Sequence, residues 1–136
     1  MITQKEIRIG AKSAGFHLIT EEVLAQIGPL PAAGLLHLFV KHTSCGLALN
    51  ENYDPDVRHD LHEIFARLVP QGQPYYRHTL EGADDMPAHA KAVLTGAELT
   101  IPITGHRLNL GTWQGIYLCE FRERGGQRRL VATIYE

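Results

Sequence analysis

The sequence predicts an α+β domain with mostly antiparallel strands, and three observations carry that prediction. Segments of alternating polarity recur through the chain, helical periodicity appears in only three short stretches, and Gly and Pro punctuate the joins between them. No strand–helix alternation is long enough for a dinucleotide-binding unit, so about eight strands and three helices fall into the α+β class.

The elements follow in order. Lys5 to Ile9 reads as a strand with Ile7 and Ile9 on one face, and Phe16 to Ile19 as a second. Thr20-Glu21-Glu22-Val23 opens a short helix, with Thr20 in the capping position and acidic residues in the first turn, where the helix dipole favours them. Leu35 to His42 is the clearest strand: Leu36, Leu38, Val40 and His42 share one face, and Leu35, His37, Phe39 and Lys41 the other. After a turn near Ser44-Cys45-Gly46, Leu47 to Asn52 is expected to pair with it. Asp54-Pro55 then starts a helix with a capping Asp and a first-turn Pro; Val57, Leu61, Ile64, Phe65 and Leu68 recur at helical spacing up to Pro70. Asp84 to Gly96 holds a third helix, with Met86, Ala90, Val93 and Leu94 as its apolar face. Strands over Glu98–Ile103, Gly115–Arg122 and Arg128–Tyr135 complete the chain, the last two forming a hairpin across Gly125-Gly126.

The 136 residues suit one domain spanning 1–136, with 44% apolar and 21% charged residues, as in ordinary globular proteins. A formal charge of −2 gives no basic field, which argues against a nucleic-acid or anionic-membrane partner. Cys45 and Cys119 form no paired motif, no segment is long and apolar enough to span a bilayer, and the first residues lack a signal-peptide core; the expected location is the cytoplasm.

Eight histidines are the compositional oddity. His42 ends the apolar face of its strand, near the polar run Asn50-Glu51-Asn52-Tyr53-Asp54 if the two strands pair. His78 lies in an extended segment, and His89 on the flank of the third helix. Neutral imidazoles are common ligands for divalent metals of the zinc type, and three protein ligands with one open position is a frequent catalytic arrangement. Spacing alone is not diagnostic here, and single core or surface histidines are the plainer reading. His59, three residues before His62, fits no zinc-protease pattern, and His17, His37, His59, His62 and His106 read as surface groups. Ser44-Cys45-Gly46 beside His42 carries no nucleophile signature. Gly111-Thr112-Trp113-Gln114-Gly115 holds the only Trp, either as a core residue entering a strand or as a ligand-lining one.

Taken together, His42-Thr43-Ser44, Asn50-Glu51-Asn52 with Asp54-Pro55, His78 with Glu81-Gly82, His89 with Lys91, and Gly111-Thr112-Trp113-Gln114-Gly115-Ile116 resemble the YjbQ-like family over nearly the whole chain. Asp84-Asp85-Met86-Pro87 resembles its bacterial branch, and the two aspartates receive no role beyond the helix N-terminus. The resemblance implies a jelly-roll-like β-sandwich with about three short flanking helices, assembled as a homotrimer. It implies a zinc-type divalent metal on His42, His78 and His89. It also implies a secondary thiamine-phosphate synthase activity, in which a pyrimidine pyrophosphate and a thiazole phosphate join and pyrophosphate leaves. In that reading Glu51 and Glu81 act as a base or bind the metal's water, and Lys91 neutralises the leaving group. Asn50, Trp113 and Gln114 line the cofactor or the phosphorylated small-molecule substrate. Asp84 and Asp85 argue against an anion at that helix end unless a cation lies between. The alternatives are a metal-dependent hydrolase of a small substrate and a non-enzymatic metal-binding trimer.

Overall fold

The computed structural model describes residues 1–136. Eight strands and three helices follow one another as β1 (Ile2–Ile9), β2 (Gly15–Leu18), α1 (Thr20–Ile27), β3 (Ala33–Val40), β4 (Cys45–Glu51), α2 (Pro55–Leu68), α3 (Asp85–Thr95), β5 (Glu98–Thr104), β6 (Arg107–Leu108), β7 (Gln114–Glu120) and β8 (Arg128–Tyr135). Every pairing is antiparallel, so the α+β class holds. The strands form a five-stranded sheet in the order β1-β8-β3-β5-β6 and a three-stranded sheet in the order β2-β7-β4. Alternation explains why they pair this way. Leu36, Leu38 and Val40 of β3, Ile101 and Ile103 of β5, and Leu130 and Ala132 of β8 are buried together with Cys45, Leu47, Ile116 and Leu118 of the smaller sheet. A second cluster of Phe16, Ala88, Tyr117, Cys119 and Phe121 lies on the smaller sheet's other side, with Leu61 and Phe65 of α2 packed against it.

Two expected pairings are not formed. β3 and β4 lie in different sheets, and so do β7 and β8. In both cases the short turn carries the chain from one sheet to the other instead of closing a hairpin. A buried ion pair joins the ends of the second crossing: Arg128 Nη2 and Nε donate to the Glu120 carboxylate at 2.5 and 2.7 Å, and Nη2 also reaches the Ser44 hydroxyl at 3.0 Å. Gly125 is required there, since a Cβ would lie 2.6 Å from the Glu120 carboxylate oxygens.

Three local expectations also change. Thr20 is the first residue of α1 rather than its cap, because its hydroxyl accepts the Ile116 amide of β7 at 2.9 Å. The strand β6, unforeseen, closes on β5 through Gly105-His106, both with positive φ (59° and 64°), which is the two-residue turn whose twist matches a hairpin. In α3 the buried face is Asp85, Pro87 and Ala88, while Val93 and Leu94 are exposed; large apolar side chains had pointed to the wrong side of the helix. The Asp54 cap of α2 holds, its carboxylate accepting the Asp56 amide at 2.9 Å, but Ile64 and Leu68 stay exposed.

Candidate cation centre

α3 is held close to the start of β4. The Leu47 amide donates to the Gly96 carbonyl, and Gly46 leaves room that a Cβ would fill, 2.0 Å from the Thr95 hydroxyl. This contact fixes the C-terminal end of α3 on the sheet, and His89 in mid-helix meets the turn that follows β3 at the Thr43 carbonyl. Asp85 and His89, one helical turn apart, therefore share a face directed at that turn and at the segment before the helix.

Three ligand atoms converge there: His78 Nε2, Asp85 Oδ2 and His89 Nε2 all lie within 4.8 Å of one another. Asp85 Oδ2 is 2.5 Å from His78 Nε2 and 3.1 Å from His89 Nε2. The two rings meet edge to face with centroids 5.2 Å apart. The other oxygen of Asp85 accepts from Arg122 Nη1 at 2.5 Å, and Arg122 Nε reaches Asp84 at 3.1 Å. Burial opposes ionisation of Asp85, but the His78 hydrogen bond and the Arg122 and His89 charges hold its carboxyl below the ordinary range. Asp84 is likewise disfavoured by burial and brought below the usual range by the Glu123 amide and Arg122.

The second nitrogen of His89 decides what the cluster can do. Nδ1 lies 2.9 Å from the Thr43 carbonyl oxygen, which can only accept, so Nδ1 carries a proton. If the ring is neutral, the lone pair of Nε2 then faces a carboxylate oxygen. Two electron-rich atoms at 3.1 Å are stable only with positive charge between them, a second proton on the ring or a metal ion. An imidazole whose Nδ1–H is held by a carbonyl is also the usual preparation for an Nε2 metal ligand. The donor set of two imidazoles and a carboxylate fits a zinc-type ion.

His78 and His89 are thus brought together, while His42 is not among the three converging atoms. Its Nε2 accepts the Arg129 amide at 2.8 Å, and it lines a shallow hollow beside His89, Cys45 and Val93. Burial, followed by the charges of Arg128 and Arg129, moves the His42 pKa below its ordinary value. Glu81 meets the centre through its backbone carbonyl, which accepts from Arg122 at 3.0 Å. Lys91 lies in a separate cleft of about 200 Å³ with His62, Asp84 and Glu123, its ammonium 5.7 Å from the centroid of the Phe121 ring; burial lowers its pKa. Glu51, Asn50, Trp113 and Gln114 sit at the far end of β4, six residues from Cys45 and therefore about 20 Å away along the strand. The remaining histidines make local contacts: His17 with the Ser13 carbonyl, His37 with Glu98, His59 with Asp60, and His106 with the Leu30 carbonyl.

Sequence reasoning missed Asp85 and Arg122. The signal for Asp85 was its four-residue spacing from His89 on one helix face; Arg122 left none, being joined to the site only by the fold.

Known proteins share this sequence and fold. A family model described as UPF0047 protein YjbQ-like matches residues 5–136. The protein named UPF0047 protein YjbQ from Escherichia coli O157:H7 is 50% identical over 133 residues, covering 96% of each chain. Among solved structures, the conserved hypothetical protein TT1486 from Thermus thermophilus superposes with a TM-score of 0.81 at 39% identity, over 95% of this chain and 97% of that one. A protein from Sulfolobus solfataricus, described as YbjQ-like and of unknown function, shares the fold alone: TM-score 0.83, 22% identity, 98% and 96% coverage. These descriptions overturn the thiamine-phosphate synthase expectation and its metal-dependent hydrolase alternative, because the relatives carry a family designation with no reaction attached.

Proposed function

The chain belongs to the UPF0047 protein YjbQ-like family, and from that premise we propose that it binds a divalent, zinc-type cation through His78, Asp85 and His89. One observation carries this reading: the Thr43 carbonyl fixes a proton on His89 Nδ1 and turns Nε2 toward the same carboxylate oxygen that His78 approaches, across a gap that positive charge must fill and that a metal ion suits. Arg122 holds the other oxygen of Asp85 and keeps the carboxylate turned toward the two rings. Three protein ligands leave a coordination position free, and a cleft of about 210 Å³ opens on His78 between Tyr76, Gly82 and Met86. A small ligand with an anionic oxygen, such as a phosphorylated one, reaches the cation from that side. No reaction is assigned to the centre.

In the same reading the two sheets pack as a jelly-roll-like sandwich and the chains assemble as a homotrimer. Leu35, Phe39 and Tyr135 support assembly: they stand exposed on one face of β3 and β8, an apolar area that self-association removes from water. Cys45 and Cys119 are buried, unbonded thiols on neighbouring strands, which suits the reducing cytoplasm.

The test is metal content after dialysis of chelator-treated protein against zinc. One ion per chain is expected. Asp85→Asn and His89→Ala are expected to weaken binding beyond the roughly 10–100-fold typical of outer partners, with the fold retained by circular dichroism. Zinc uptake indifferent to both substitutions, or well below one ion per chain, overturns the proposal.

A further inference from the structure

We propose that the opposite end of the smaller sheet is a second binding site, which takes a small organic cation, a protonated or quaternary ammonium, in the corner between Trp113 and Tyr53 with Glu51 as counter-charge. The two rings meet at 72° with centroids 5.5 Å apart, yet Trp113 is 58% and Tyr53 75% exposed. Large aromatic side chains left in water are usually mobile or interface-forming; here the backbone beneath them is fixed. The Asn52 amide donates to the Trp113 carbonyl at 2.9 Å, and the Asn52 side chain donates to the carbonyls of Thr112 and Gln114 at 3.3 and 3.0 Å. The Gly111 amide donates to the Gln114 side chain at 2.8 Å, and the Gln114 amide returns to the Gly111 carbonyl at 3.0 Å. An aromatic corner is thus presented to solvent already organised, so binding a ligand carries little ordering cost.

Charge selects the ligand class. Beside the corner is a shallow surface depression of about 270 Å³ lined by Leu49, Asn50, Glu51, Trp113 and Gln114. It adjoins, across Gln114, a cleft of about 440 Å³ lined by Leu18, Thr20, Glu21, Glu22 and Asn52. No Lys or Arg lines either of them. Glu22 is paired with Lys12 at 2.9 Å, whereas Glu21 and Glu51 form no ion pair. Behind the strand end, Arg58 lies near the Tyr117 hydroxyl, which donates to the Glu51 carbonyl, and one of its buried guanidinium nitrogens has no hydrogen-bond partner. A compact cation finds the electron-rich face of an indole, a second ring at a wide angle to it, and the Glu51 carboxylate, which has no ion-pair partner and accepts only the Asp54 amide at 3.2 Å. This site does not depend on the His78–Asp85–His89 reading and shares no residue with it.

Trp113 is the only Trp in the chain, so indole emission, excited beyond the absorption of the five tyrosines, reports this corner alone. Titration of the full-length protein with tetramethylammonium chloride, at constant ionic strength, is expected to give a saturable emission change. The uncharged isostere tert-butanol is expected to give none, and Glu51→Gln to weaken the response at least fivefold while zinc content stays unchanged. Tyr53→Ser, on an exposed loop, is expected to weaken it as well with unfolding unaffected. A linear response, an equal response to tert-butanol, or full binding by both variants overturns the proposal. So does an emission shift that follows protein concentration without ligand, which assigns the corner to a second copy of the chain.

Discussion

At the Cys45–Glu120 end of the three-stranded sheet, charges are buried and paired; at the Glu51–Gln114 end, aromatic rings are exposed and the polar groups beneath them are hydrogen-bonded to backbone. The first end uses burial to fix charge. Glu120 is wholly buried against Arg128, and Asp85 is nearly so, held by Arg122 and two histidines. Around them the Cys45 thiol is pushed up to about 12 by burial, which keeps it protonated. The second end fixes backbone so that side chains can stay in water. Low dielectric around the first end makes an uncompensated charge costly, which is what a cation centre needs; the second end relies on shape and π-faces that act while solvated. The two ends of β4, six residues and about 20 Å apart, thus stand in environments of different chemistry.

Breaking the first end should cost most. Glu120→Ala leaves the Arg128 guanidinium buried without its partner, and removal of one member of such a pair destabilises by about 3–5 kcal/mol. Urea unfolding is expected to show that loss. A cost below about 1 kcal/mol would mean that Arg128 reaches water and that burial does not organise this end. At the second end, Asn52→Ala removes two side-chain hydrogen bonds to the loop beneath Trp113, for a loss of about 1–2 kcal/mol. Trp113 fluorescence anisotropy is expected to fall while zinc content holds; unchanged anisotropy would show that the loop is fixed by other contacts.

The smallest effect concerns His42. Its pKa lies below the ordinary 6.5 because burial and the Arg128 and Arg129 charges disfavour the imidazolium. The unfolded chain therefore takes up this proton before the folded one does. The contribution of His42 to stability is complete above about pH 6.5 and is lost as pH falls through the folded value. His42→Gln keeps an acceptor for the Arg129 amide but does not titrate, so its stability is expected to decline less from about pH 7 to pH 5 than that of the unaltered protein. Parallel declines would show that the His42 ring is as readily protonated folded as unfolded.

Much of this was legible in the residues. The β3 alternation, the Asp54-Pro55 helix start and the α+β class follow from periods and caps that act locally. His78 and His89 were legible as polar groups on otherwise structured segments. The sheet-crossing turns were not, since a glycine-rich turn has the same sequence whether it closes a hairpin or changes sheets. Asp85 escaped because an aspartate at a helix start has a sufficient local explanation, while its partners His78 and Arg122 come from segments that only the fold brings to it. Arg122 and Glu120, adjacent to Phe121, gave no periodic sign that one would hold Asp85 and the other form the buried ion pair.

Zinc binding as proposed requires His89 to be held as the Nδ1–H form, with Nε2 open to a cation beside His78 and Asp85. Nitrogen-15 NMR of the imidazole rings during zinc titration tests it directly. His89 is expected to keep its Nδ1 proton throughout, while Nε2 of His89 and His78 shift together and saturate at one zinc per chain. Zinc that moves neither ring, or a His89 that carries its only proton on Nε2, would contradict it.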